Sequence, residues 1–308
     1  MTRGTAIYAA RRLVLVLGTA FLVSSVTFLV IHALPGTPFT CERNPAGCAH
    51  ENLVYGLDDP LFIQYRTFMW NLVHGNLGYS YVNQGVQVTP LLLEEAKNSL
   101  ILGVFALVVT IVVGLIIGVT AAVRQNSWAD YALSTFVVVG YSVPSFVLAT
   151  FLLILVGILL PTWGGSIGWG SAEQIPIPAI ALGLPFAAIV ARLVRASMLD
   201  VIRQDYVRTA WAKGLSSRVV IIRHALRNAL IPVVTIGGPL VTGIITGSVV
   251  IETIFGIPGL GKEFVTSILI RDYGIVVGLY TFYAVLVGLA NLAVDLIYPV
   301  LDPRISYA

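Results

Sequence analysis

Six stretches of this sequence are apolar and nearly free of charge over a length sufficient to cross a lipid bilayer. A spanning helix needs about 20 apolar residues at about 1.5 Å of rise each. The stretches are residues 13–34, 98–123, 131–160, 176–197, 229–251 and 275–300. Backbone polar groups in lipid must be paired within the protein, and these stretches lack the alternation of barrel strands. The sequence therefore predicts an all-α polytopic membrane protein with six transmembrane helices.

The composition excludes the soluble classes of protein. Of 308 residues, 57% are hydrophobic and only 11% are charged, and the mean hydropathy is +0.90. A water-soluble enzyme or nucleic-acid-binding module cannot bury that much apolar surface. Arg3, Arg11 and Arg12 precede the first stretch as in a signal peptide. The stretch is too long for a signal peptide and no small-residue cleavage site follows it, so we expect a retained helix.

The positions of Lys and Arg predict the orientation. With the N-terminus inside, thirteen of the 18 Lys and Arg residues lie on the inner side of a six-helix chain. This excess indicates that residues 1–12 and 301–308 are cytoplasmic ends of a multi-pass membrane protein. Two connections are then long: an external, net acidic segment at 35–97 and an internal, basic segment at 198–228.

Two cysteines, Cys41 and Cys48, lie in the external segment. This compartment is oxidising in bacteria, and a disulfide closing so short a loop contributes about 2–3 kcal/mol in the chain-entropy model. Free thiols and a metal site that includes His50 are the alternatives, although three ligands in a loop make a poor metal site. We expect a disulfide and no bound metal.

The internal segment has the pattern of a docking element. Tyr206 and Ala210 fall on one face of a short helix that Gly214 ends, and small residues beside a turn allow close approach of a partner. Its basic residues recur every five positions, about 140° apart on a helix, and so form no single membrane-facing stripe. They are Arg203, Arg208, Lys213, Arg218 and Arg223. The alternative interpretation is that these charges reflect only the positive-inside rule.

Two runs in this region carry a family resemblance. DYVRTAWAKGL at 205–215 and RHALRNALIPVV at 223–234 closely resemble the coupling loop of permease subunits from ATP-driven peptide importers, the ABC class with type-1 transmembrane domains. The wider class has the pattern EAA-x3-G-x9-I-x-L-P. In this chain Arg208 replaces the Glu of that pattern. The proline of the pattern, Pro232, follows Gly214 by 18 residues rather than about 13. The resemblance implies that ATPase coupling involves Asp205, Tyr206, Arg208, Thr209, Ala210, Lys213, Gly214 and Leu215.

Other motifs extend the resemblance over nearly the whole chain in matching order. They are LPG at 34–36, GNLGYS at 75–80, GSVVIETIFGIPGLGKEF at 247–264, RDYG at 271–274 and NLAVDLIYPVLDPRI at 291–305. The pattern is similar to the first of the two permeases in a dipeptide or oligopeptide importer. The resemblance implies that this chain is a non-catalytic subunit that forms half of a membrane conduit. It also implies that residues 98–300 form the type-1 transmembrane core.

The resemblance also implies partners. These are a second permease, two cytoplasmic ATPase subunits (or one fused protein) that hold ATP and Mg²⁺, an external substrate-binding protein and membrane lipid. No cofactor is expected on this chain, and no nucleic acid. A nickel or other small-solute permease of the same family is the alternative. An ATP-independent secondary transporter is disfavoured because no ionisable residue lies obviously at the bilayer midplane.

The run GIPGLGK at 256–262 satisfies the spacing of a phosphate-binding loop but does not predict one. Glu263 stands where the Mg²⁺-binding Ser or Thr is required, and Pro258 removes a backbone donor. The predicted topology also places the run outside the cell. We interpret it as a tight external turn.

Few ionisable or helix-breaking residues lie within the predicted spans. Asp295 is expected to form a structural ion pair with Arg192 or Arg195, because all three lie near the inner helix ends. Pro144 and Pro185 are expected to interrupt helical hydrogen bonding, as in permease helices that bend around a pathway.

Overall fold

A computed structural model describes residues 3–33, 52–159 and 167–301 of the chain, and helices account for most of them. In chain order the α-helices are α1 (Arg3–Ala33), α2 (Leu61–Val73), α3 (Val88–Val123), α4 (Trp128–Ser142), α5 (Ser145–Leu159), α6 (Pro176–Ile202), α7 (Asp205–Ala212), α8 (Ser217–Val219), α9 (Arg227–Ala229), α10 (Ile231–Thr235), α11 (Gly237–Phe255), α12 (Leu260–Leu269) and α13 (Tyr273–Leu301). A 3₁₀ turn occupies Ala172–Gln174 and a π-helical segment Val220–Leu226. Cys41 and Cys48 lie outside the described residues, so their disulfide stays a prediction.

The predicted all-α polytopic architecture is confirmed. Five helices in the described part of the chain are long and apolar enough to cross a membrane, and a bent pair of helices is, by length and composition, a sixth candidate span. The predicted end of the second span, residue 123, coincides with the end of α3, and the last span matches α13. However, α3 has 36 residues and begins at Val88, ten residues before the predicted span. Its length of about 54 Å exceeds the roughly 30 Å of a hydrocarbon core.

The third predicted span is a broken helix. α4 and α5 have 15 residues each and meet at an angle of 106°. The break follows from Pro144, which has no N–H to donate and forces Val143 into an extended conformation (φ −82°, ψ 122°). The interruption expected at Pro144 is therefore present, whereas α6 continues without a break through Pro185.

The fifth predicted span, 229–251, begins too early. The membrane-length helix is α11, which starts at Gly237 and ends at Phe255. The residues before it form the short helices α9 and α10, with breaks at Leu230 and Ile236. Hydropathy placed the start too early because apolar residues continue through these short helices.

The described chain divides into two compact units, one of which contains residues 100–257 and the end of α13. Its centre is α6, which packs against α4, α5 and α11. The buried residues of α6 are mainly Ala, Gly and Val, including Ala181, Val190 and Val194 at 0% exposure. Thr110 of α3 donates a buried hydrogen bond of 2.9 Å to the carbonyl oxygen of Gly183. Small residues therefore let neighbouring helices approach the backbone of α6 closely.

The other unit contains residues 7–99 and 258–289. Within it, α1 and α13 are joined by a buried hydrogen bond of 2.8 Å between the hydroxyl groups of Ser24 and Thr281. A methyl group added at Gly288 of α13 would lie 2.7 Å from Val16 of α1. Here, too, a glycine permits the close contact of two helices.

Replacement of Gly118 by Leu is expected to destabilise the first unit. A Cβ atom at this position would lie 2.7 Å from the carbonyl oxygen of Ala191 and 2.7 Å from Val194, so α3 would have to move away from α6. Overpacking of this kind costs about 1–3 kcal/mol. The melting temperature of the purified permease complex in detergent measures the loss.

Gly157→Leu is the matched control, since a Cβ atom at Gly157 of α5 has no neighbour within 4 Å. Equal melting temperatures for the Gly118→Leu and Gly157→Leu complexes would contradict the close packing of α3 on α6.

Candidate functional site

The internal segment includes the last residues of α6, and an ion pair fixes this helix at Arg195, shortly before the segment begins. Arg195 donates two hydrogen bonds of 2.7 Å, from Nε and Nη2, to the two carboxylate oxygens of Asp130. Asp130 is 2% exposed and also accepts from the backbone N–H of Asn126 and the hydroxyl of Ser134. Bidentate charge-assisted pairs of this kind are geometrically specific. The turn between α3 and α4 is thereby attached to α6, ten residues before α7 begins.

The sequence analysis did not identify Asp130 as the partner of Arg195. The other arginine, Arg192, has its guanidinium 5.1 Å from the ring centroid of Tyr141, a cation–π arrangement. Pairing of Asp295 with either arginine stays a prediction. The sequence did contain a feature that could have identified Asp130. This residue lies in the first turn of α4, three residues after the Ser127 cap, where a carboxylate is favoured.

The predicted short helix ending at Gly214 is confirmed. α7 spans Asp205–Ala212, Lys213 caps it, and Gly214 follows with a φ of 76°. This left-handed conformation is accessible to Gly and costs other L-residues about 1–2 kcal/mol. A Cβ atom at Gly214 has no neighbour within 4 Å, so the requirement for glycine comes from the backbone and not from crowding.

One face of α7 packs into a small apolar core that we call the loop core: Val201, Val207, Ala210 and Val220. Val207 and Val220 are 0% and 1% exposed, and Ala210 is 5% exposed. The expectation that Ala210 lets a partner approach α7 is therefore wrong. Ala210 is small because it faces the loop's own core, beside Val207 at i−3.

The opposite face of α7 is exposed and bears small or polar side chains. At about 100° per residue, four positions of α7 point away from Val207 and Ala210, and we call these positions the outer face. They are Asp205, Arg208, Thr209 and Ala212. Arg208 and Asp205 lie 3.7 Å apart with side chains 71% and 98% exposed, a pair that contributes little to stability. Aromatic side chains flank this face, since Tyr206 and Trp211 are each 43% exposed.

A second hydrogen bond holds α7 against the segment that follows it. Asn228 of α9 donates from Nδ2 to the hydroxyl oxygen of Tyr206 at 2.7 Å. Between them lies the π-helical segment Val220–Leu226, a helical form often found at functional sites. Of the residues assigned to coupling, Tyr206 and Ala210 thus hold the loop together, Gly214 shapes its turn, and Asp205, Arg208, Thr209, Lys213 and Leu215 are exposed.

A second polar centre, which the sequence analysis missed, joins the segment at 35–97 to the turn between α12 and α13. Asp272 is 0% exposed and accepts hydrogen bonds from the Ser80 hydroxyl and from the backbone N–H groups of Tyr81, Val82 and Ile275. Burial, the charge of Asp272 and the nearby Tyr55 raise the pKa of Tyr81 to about 12. The signal was available: an Asp directly before the start of α13 is a helix-capping residue.

The motifs GNLGYS and RDYG, separate in the sequence, therefore meet at Asp272. The run GIPGLGK forms the predicted tight turn: Gly256 has a φ of 69° after α11, and α12 begins at Leu260.

The helical bundle and its folded internal loop define an integral membrane permease with the type-1 ABC importer fold. Comparison with a solved structure supports this fold. The chain resembles the inward-facing MetNI methionine ABC transporter with a TM-score of 0.53 and 21% identity, over 77% of this chain and 98% of that one. Residues 114–307 match the family described as the binding-protein-dependent transport system inner membrane component, and the chain belongs to this family.

Curated relatives match nearly the full length. The dipeptide transport system permease protein DppB of Bacillus subtilis is 41% identical over 97% of this chain and 97% of its own. The oligopeptide transport system permease protein OppB of Salmonella typhimurium is 39% identical over 97% of this chain and 99% of its own.

Substitution at Gly214 is expected to loosen the turn after α7. Gly214→Val requires a β-branched residue at a φ of 76°, whereas Gly214→Asn is tolerated better because Asn populates this region. Hydrogen exchange of residues 205–226 in the purified complex is therefore expected to accelerate in the order wild type, Asn, Val. Equal exchange in the two variants would show that the backbone conformation does not set the requirement at Gly214.

Proposed function

We propose that this chain is a permease subunit of an ATP-driven importer and forms half of the membrane conduit for di- or oligopeptides. The observation that carries the proposal is the full-length similarity to the dipeptide and oligopeptide permeases, at 41% and 39% identity. Similarity at this level extends through both elaborated segments, the external one around GNLGYS and the internal one around α7. No chemical change to the peptide is required of this subunit.

The proposed assembly places a second, similar permease beside this chain, because one subunit forms only half of a conduit. Two cytoplasmic ATPase subunits, or one fused protein, bind ATP and Mg²⁺, and an external binding protein delivers the peptide. Both termini are cytoplasmic in this proposal, as the distribution of Lys and Arg favours. The protein then lies in the bacterial plasma membrane.

The internal segment is the proposed coupling element. Its outer face bears the small residues Thr209 and Ala212, which let the backbone of α7 approach a groove of the ATPase. The loop core and the Tyr206–Asn228 hydrogen bond make α7 and the following segment one body. Closure of the ATPase pair on ATP moves α7, and α6 and the short helices before α11 transmit this movement to the conduit.

Peptide import is tested by uptake in cells that carry the complete transporter. We expect cells to accumulate a radiolabelled dipeptide or tripeptide, and to lose this uptake when the gene for this chain alone is deleted. Excess unlabelled peptide is expected to compete, whereas nickel is not. Peptide uptake unchanged by the deletion, together with loss of nickel uptake, would contradict the proposed substrate class.

The coupling role is tested by adding bulk to the outer face. Ala212 is exposed, so Ala212→Trp leaves the loop core intact but separates α7 from a partner. We expect ATPase subunits to be lost from the purified complex, and substrate-stimulated ATP hydrolysis and peptide uptake to fall at least about tenfold, the factor that corresponds to about 1.4 kcal/mol of docking free energy. The permease pair is expected to remain assembled.

Gln125→Trp is the matched control, because Gln125 is an exposed residue in the turn between α3 and α4. Equal ATPase retention and equal uptake in the two variants would show that the outer face of α7 docks nothing. That result would leave peptide import itself intact, since the uptake experiment tests it separately.

A further inference from the structure

An open apolar groove of about 580 Å³ lies between α1, α12 and the start of α13. It is lined by aliphatic side chains, among them Val26, Val30, Ile31 and Val276, and by Tyr280 of α13. Arg271 and Tyr273 line it where α12 joins α13, and we call this end the rim. α1 and α13 are both membrane-length helices, and the groove lies near the end of the first and the start of the second. A surface of this kind is covered by lipid or by protein.

Arg271, at the rim of the groove, has an unusual backbone conformation. α12 ends at Leu269, Ile270 caps it, and Arg271 follows with a φ of 58°. Glycine is the usual residue at this position after a helix, and a side chain there is strained. Glycine would adopt this backbone conformation at the lowest free-energy cost, but the sequence has an arginine there. We therefore ask what the charge of Arg271 contacts.

The charge of Arg271 is not neutralised within the described residues. Its guanidinium forms no ion pair or side-chain hydrogen bond there, and the side chain is exposed. The adjacent Asp272 is fully buried, and both of its carboxylate oxygens accept hydrogen bonds from Ser80, Tyr81, Val82 and Ile275. Among the residues that the structure describes, the cation at the rim of this apolar groove is therefore paired with no anion.

The dimensions fit one class of ligand. Tyr280 lies seven residues after Tyr273 on α13, so the groove extends about 10 Å along the helix from its polar rim. Beside the rim, Ile268, Leu269 and Ile270 are consecutive exposed apolar residues, with Leu269 77% exposed. Tyrosines and an arginine at the helix ends, above an aliphatic wall, are the arrangement expected at the membrane interface.

We propose that this groove is a binding site for an anionic phospholipid, whose headgroup phosphate contacts Arg271 and whose first acyl carbons lie against Val30, Ile31 and Val276. The charge of Arg271 selects the headgroup, and the aliphatic wall holds the chain. In the orientation proposed above, the lipid belongs to the outer leaflet. The proposal does not depend on the transported substrate.

The test uses the complete transporter reconstituted in phosphatidylcholine nanodiscs that contain photoactivatable phosphatidylglycerol, with a diazirine on an upper acyl carbon. Labelled peptides identified by mass spectrometry are expected to cover residues 26–31 and 268–280. Arg271→Gln is expected to reduce labelling there about fivefold, the contribution of one arginine near an anionic lipid. Labelling by the phosphatidylcholine analogue is expected to change little.

Two variants separate charge from structure. Arg271→Gly removes the charge and relieves the backbone, so its complex is expected to melt at the same or a higher temperature while losing the labelling by phosphatidylglycerol. Arg66→Gln is the matched control, because Arg66 is an exposed arginine of α2 outside the groove. It is expected to retain full labelling.

Two results would overturn the proposal. One is equal labelling by phosphatidylglycerol in wild type, Arg271→Gln and Arg271→Gly. The other is a crosslink from a benzophenone side chain at Thr27, within the groove, to the second permease rather than to lipid. The latter would show that the groove is part of the interface between the two membrane subunits.

Discussion

The close approach of helices to α6 is the constraint on which the first unit depends. In lipid there is no hydrophobic drive to bring helices together, so their association relies on packing and on the few polar contacts available. A Cβ atom added at Gly114 of α3 would lie 2.7 Å from Val190 of α6. A Cβ atom added at Gly118 would lie 2.7 Å from the carbonyl oxygen of Ala191. At such spacing even one extra carbon separates the helices. α6 therefore tolerates Pro185 without a break, because its neighbours hold it on several sides.

The position of the internal loop follows from that of α6. The Asp130–Arg195 pair fixes α6 to the turn between α3 and α4, and only Arg203 and Gln204 separate the end of α6 from α7. The loop core then adds Val201 of α6 to Val207 and Ala210 of α7. A displacement of α7 is thus transmitted to α6 through packed side chains, and not through a flexible linker. This continuity is what a mechanical coupling element requires.

Much of this architecture could be predicted from the sequence, and the exceptions have physical causes. Hydropathy indicated the spans, and proline and glycine chemistry indicated the break at Pro144 and the turn at Gly214, because each depends on local composition or backbone chemistry. Hydropathy gave the wrong start for α11, since short interfacial helices are as apolar as spans. Ala210 was expected on the face of α7 that a partner approaches, but it lies in the loop core. The sequence does not distinguish the two positions, because a small residue is suited to a buried core and to a surface that a partner contacts closely. The partners of Arg195 and the role of Asp272 depend on contacts distant in sequence, which no single-sequence pattern specifies.

Residues with a left-handed backbone between helices show how side-chain function and backbone cost are balanced. Asn126 and Gly214, with φ of 61° and 76°, are residue types that adopt this region readily, and each simply ends or joins helices. Arg271 has nearly the same φ, 58°, at a cost of about 1–2 kcal/mol that glycine would avoid. Asp272 beside it already provides the buried hydrogen bonds that hold the turn. The left-handed conformation at Arg271 serves the turn, because it lets the N–H of Asp272 donate to the carbonyl oxygen of Ser267 at 2.8 Å. The turn does not require the arginine side chain, and the proposed phospholipid contact assigns a role to its exposed guanidinium.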